Sequence, residues 1–67
     1  MDENRTIDLS RQMIGLLKRN GPSTLWQLSR KLHISMSMAN GVLMYLTERD
    51  VKLAETDEGK LIYMEGE

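Results

Sequence analysis

Few side chains in this sequence can do covalent or metal chemistry. There is one histidine, His33, and no cysteine. Thiolate metal sites, thiol nucleophiles and disulfides are therefore excluded, and a lone imidazole has no second ligand for a zinc site. No glycine-rich phosphate loop and no carboxylate pair suited to acid–base work is present. The expectation is a protein that is not an enzyme and takes no cofactor or metal, with His33 a turn residue. What the chain does offer is cationic and hydrogen-bonding groups. Residues 11–31 hold Arg11, Lys18, Arg19, Arg30 and Lys31 with no acid, and residues 32–47 carry no charge. Residues 1–10 hold three acids and one base, and residues 48–67 seven acids and three bases, so the net charge of −1 hides a dipole. Such a surface attracts an anionic partner to one end only.

Methionine and tryptophan add apolar contact groups. Six methionines occur in 67 residues, and Met36, Met38 and Met44 fall close together. Methionine is adaptable and is over-used at binding surfaces. Met38 is expected to fill the core, Met36 to be intermediate and Met44 to face outward. Trp26 is expected to be half-buried, packed on the hairpin or the chain start, with an interface anchor as the alternative. Tyr45 and Tyr63 are expected to close the edge of the core.

The elements that position these groups follow from periodicity. Leu9, Met13, Leu16 and Leu17 make one apolar face of a helix over about residues 8–19. Asn20-Gly21-Pro22 ends it. Thr24-Leu25-Trp26-Gln27 reads as a capping box opening a second helix, which ends near Leu32. His33-Ile34-Ser35 is a short connection, with Ser35 the N-cap of a third helix over about residues 36–49. Ala39, Val42, Leu43 and Leu46 are its buried stripe. Ser37, Asn40, Gly41, Met44, Thr47 and Glu48 fall on the opposite face. Gly41 costs about 1 kcal/mol in a helix interior, which suggests a close approach there. Val51, Leu53, Leu61 and Tyr63 then alternate with polar residues around Thr56-Asp57-Glu58-Gly59, predicting a β-hairpin over residues 51–64. A short third strand is expected near residues 21–23.

A chain of 67 residues is one domain, with its ordered core expected over about residues 7–64. Its core is small, so oligomerisation, here a homodimer, is an expected aid to stability. No segment is apolar enough to span a membrane and residues 1–10 lack a signal-peptide core, so the cytoplasm is the expected compartment. Met1 and the charged end Glu65-Gly66-Glu67 carry the expectation of a complete small protein.

The segment from Thr24 to Val51 carries a resemblance. Leu25 and Leu28, a turn, Ile34-Ser35, then a helix ending in Leu46-Thr47-Glu48-Arg49 before an apolar strand resemble the winged helix-turn-helix family. The likeness is to small regulators of the MarR and ArsR type and to short stand-alone winged-helix proteins. It covers about residues 8–64. It implies an α+β fold of three helices followed by a C-terminal two-stranded β-hairpin wing. It also implies binding of double-stranded DNA in transcription regulation, with the third helix in the major groove. The matching positions are Arg30 and Lys31 on the backbone, with Ser35, Met36, Ser37, Asn40, Gly41 and Met44 at the groove. Two features depart from the family pattern. The third helix carries no cation where such regulators often place one, and the wing has three acids against Lys60. The alternative expectation is a protein–protein interaction module that does not bind DNA, with Trp26, Met36, Met44 and Tyr45 at its interface.

Overall fold

A computed structural model describes residues 3–64. Three helices, α1 (Glu3–Asn20), α2 (Leu25–Leu32) and α3 (Met36–Glu48), alternate with and precede three short strands, β1 (Ser23–Thr24), β2 (Leu53–Glu55) and β3 (Lys60–Tyr63). The fold is α+β, and its architecture is compatible with the winged-helix expectation. It differs from a bare two-stranded hairpin, because β1 adds to the other edge of β3 in the order β1-β3-β2. Ser23 pairs with Leu61 and Thr24 with Lys60, while Leu53, Ala54 and Glu55 pair with Tyr63, Ile62 and Leu61. All pairings are antiparallel.

The first helix is longer than its apolar stripe predicts, starting at Glu3 rather than near Asp8. Asp8 has the chemistry of an N-cap, but nothing breaks the chain before it. Glu3 in the first turn and Lys18 and Arg19 in the last complement the helix dipole. Leu9, Met13 and Leu17, four residues apart, are buried. Gly21 ends the helix with φ +80°, and its N–H donates to Leu17 O at 3.0 Å.

Local chemistry fixes the next two helices where the sequence places them. Gln27 N–H donates to Thr24 Oγ1 at 3.1 Å, and Thr24 N–H donates to Gln27 Oε1 at 2.9 Å, completing the capping box. His33 closes α2 in the left-handed region, at φ 59°, and Ile34 N–H donates to Ser29 O at 3.0 Å. Met38 N–H then donates to Ser35 Oγ at 3.1 Å and starts α3. After α3, Asp50 takes φ 63° and the chain turns into the sheet.

One cluster makes the core. α1 supplies Leu9, Met13 and Leu17, α2 Leu28, α3 Ala39, Val42 and Leu46, and β3 Leu61. Tyr45 and Tyr63 pack against its edge, as their positions predict, whereas Met38 and Leu43, expected inside, are half-buried beside the cluster. The hairpin turn is closed by Thr56, whose Oγ1 accepts from Glu58 N–H at 3.3 Å and Lys60 N–H at 3.1 Å, with Gly59 at φ +83°.

Candidate nucleic-acid interface

The stripe Ala39, Val42 and Leu46 holds α3 against α1 and α2, and this leaves the opposite side of α3 in solvent. Ser37, Asn40, Met44, Thr47 and Glu48 on that side are exposed, as is Met36 at its flank. Gly41 is half-buried, at the border of that face. Ser35 is exposed, and its Oγ is engaged in capping. That bond uses one lone pair and leaves the hydroxyl proton for a further acceptor. Met44 is 55% exposed, with no part in the core. Asn40 carries two donors and an acceptor on the same face, the set that matches an adenine edge in a major groove. No cation lies on α3 itself, so any charge must come from its neighbours.

The second helix divides the two bases the sequence places side by side. Successive helical residues are about 100° apart. Arg30 lies over the ring of Trp26, with its Cζ 5.4 Å from the centroid. Ser29 Oγ donates to Trp26 O at 2.7 Å and lies 3.5 Å from Met36 Sδ. Trp26 and Arg30 thus form one exposed pair on α2, and Met36, exposed at the start of α3, meets α2 through Ser29. Lys31 instead turns toward α1. There it lines an open cleft of about 410 Å³ with Arg11, Gln12, Gly15, Leu16, Arg19 and Leu32. The two adjacent bases thus have different neighbours, Arg30 the Trp26 ring and Lys31 the cleft beside α1.

Trp26 also departs from its expected half-buried state. It is 58% exposed, because Leu28 and Ser29 take the inward side of α2 and the indole falls outside them. Arg30, not the hairpin, covers one face of it. Tyr45 is half-buried at the core edge, with Arg49 4.9 Å over its ring. Of the four interface candidates, Trp26, Met36 and Met44 are presented to solvent and Tyr45 mostly is not.

The wing is acidic at its tip. Glu55, Asp57 and Glu58 are exposed, and Lys60 Nζ lies 3.4 Å from Glu58 Oε1. Arg11, Lys18, Arg19, Arg30 and Lys31 lie on α1 and α2, with Lys18 5.2 Å over the Tyr63 ring of β3, while three acids stand at the hairpin and Glu48 closes α3.

Gly15 has no part in the sequence expectations. It sits mid-helix between Arg11 and Arg19, four residues from each, and forms a notch in the cleft. A Cβ added there would meet nothing within 4 Å. Packing within the chain therefore gives no reason for a residue that costs about 1 kcal/mol against alanine in a helix interior. A glycine flanked at i−4 and i+4 by arginines is a signal legible in the sequence.

Among the described residues, no group of three or more metal-ligating side chains converges, and no helix is long and apolar enough to cross a membrane. Comparison with protein-family models, curated proteins and solved structures finds no match for this chain.

Proposed function

We propose that this chain is a winged helix-turn-helix protein that binds double-stranded DNA with the exposed face of α3 in the major groove. The observation that carries this reading is the separation of charge in the fold. From residue 11 to residue 47, through most of α1 and all of α2 into the end of α3, there are five bases and no acid. The described acids lie on the hairpin, in the first turns of α1 and at the end of α3, at Glu48 and Asp50. A duplex is steered to the helical side, where α3, uncharged from Met36 to Thr47, holds serine, asparagine and methionine side chains clear of the core. Ser37 and Asn40 supply hydrogen bonds to base edges and Met44 an apolar contact to a thymine methyl. Arg30 supplies phosphate contact at the flank of α3. One chain offers few such contacts, so binding is weak in a monomer and doubles its footprint in a homodimer. A small regulator of transcription is the role that fits.

A second reading rests on a separate observation. Trp26, Met36 and Met44 are 58%, 45% and 55% exposed, and Arg30 stacks on the Trp26 ring. Exposed tryptophan and methionine side chains have the composition of a protein contact. Titration with a generic duplex at several salt concentrations separates the two. Salt-dependent micromolar binding supports the first, and absence of binding at low salt leaves the second.

A further inference from the structure

We infer that the cleft between α1 and α2 is a docking site for the acidic hairpin tip of a second copy of this chain. Arg11, Arg19 and Lys31 border the cleft, and none of the three is ion-paired with a described residue. No carboxylate lines it. Its apolar lining is Leu16, Leu32 and the bare backbone at Gly15. Gly15 lies between the two arginines on one helix face, about 6 Å along the axis from each. The chain's own packing does not fill the space above it. The cleft is thus a notch with a cationic rim that some other surface approaches closely.

Charge complementarity selects the occupant. Elsewhere on the same chain, the hairpin tip presents Glu55, Asp57 and Glu58, all exposed. Its one base, Lys60, is paired with Glu58. A tight turn with adjacent carboxylates can enter an open notch, and arginine binds carboxylate with two parallel hydrogen bonds. Neither Met36 nor Arg30 lines the cleft, and no α3 residue does, so a duplex seated on α3 leaves it free. Because hairpin and cleft are different surfaces, the contact is heterologous. It closes as a pair when two copies exchange hairpins, and extends as a chain when they do not. The contact is small and charged, so it is weak and salt-sensitive.

The test is sedimentation of the full chain, without DNA, from about 10 µM to 1 mM in low and high salt. Association at about 20 mM salt, reduced at least tenfold in affinity at about 500 mM, is expected. A cleft variant, Arg11→Glu with Lys31→Glu, and a hairpin variant, Asp57→Lys with Glu58→Gln, should each sediment as a monomer. Their equimolar mixture should re-form a complex, because each supplies the partner surface the other lacks. Gly15→Leu keeps every charge and strengthens the helix, so it folds. It should weaken association at least tenfold by filling the notch. A wild-type chain that stays monomeric at low salt overturns the inference. So does association that survives the cleft, hairpin and Gly15 substitutions. Since no arm of the self-association test contains DNA, it stands or falls apart from the DNA reading.

Discussion

Arg30→Ala and Lys31→Ala should part company in a DNA titration, although the two residues are adjacent. Arg30 stacks on the Trp26 ring and is assigned to the flank of α3, while Lys31 lines the cleft with Arg11 and Arg19. Each phosphate contact contributes about 0.9 to the slope of log affinity against log salt. Losing the Arg30 contact should therefore lower the magnitude of the slope by about 0.9. Between 50 and 200 mM salt, the variant's affinity should fall about 3.5-fold less than that of the parent chain. Lys31→Ala should change the slope by less than about 0.3, because its ammonium is turned away from α3. The assay is anisotropy of a labelled generic duplex at four or five salt concentrations, with circular dichroism of each variant to check folding. Both side chains are exposed, so neither truncation should unfold the domain. Equal flattening by both substitutions would refute the assigned docking face. Flattening by Lys31→Ala alone would put the duplex on the α1–α2 side instead.

Other expected outcomes follow from packing and capping. Leu28 is fully buried, so Leu28→Ala should cost about 2–5 kcal/mol. Against roughly 3–10 kcal/mol for a domain of this length, that is most of its stability, and a urea melt should show a large fall in midpoint. Thr24→Ala should cost about 1 kcal/mol by removing the capping box, and a cycle with Gln27→Ala should show non-additivity, since each residue satisfies the other's backbone N–H. Two glycines should respond with opposite signs. Gly15→Ala should raise the melting temperature by about 4–8 °C, from about 1 kcal/mol of helix propensity, whereas Gly21→Ala should lower it, because φ +80° strains any residue with a Cβ. Met44→Glu should leave the melting temperature nearly unchanged, as Met44 is mostly exposed, while removing duplex binding.

The fold was legible in the sequence wherever the chain announces its own boundaries. Thr24 with Gln27, and Ser35, are capping chemistry, and α2 and α3 start where these residues say. Asn20-Gly21-Pro22 ended α1 for the same reason. The start of α1 was less legible. Asp8 resembles a cap, but residues 3–7 contain no breaker, so the helix continues through them. The third strand needs a partner 38 residues away, Leu61 opposite Ser23, which local pattern only suggests. Site residues on α3 were readable from its angular positions, since Val42 and Leu46 define inside and Asn40 and Met44 outside. Tertiary neighbours were not readable. The meeting of Trp26 with Arg30, and of Lys31 with Arg11 and Arg19, depends on how α2 lies between α1 and α3. That arrangement moved Trp26 from half-buried to exposed and separated two bases adjacent in sequence.

Whether α3 meets DNA is decided by titrating a labelled generic duplex with the wild-type chain at about 20–300 mM salt and reading its anisotropy. Micromolar binding is expected at the lowest salt, weakening as salt rises, since non-specific binding comes from phosphate contacts. Absence of binding at the lowest salt would rule out the DNA reading and leave the exposed Trp26, Met36 and Met44 as contacts for another protein.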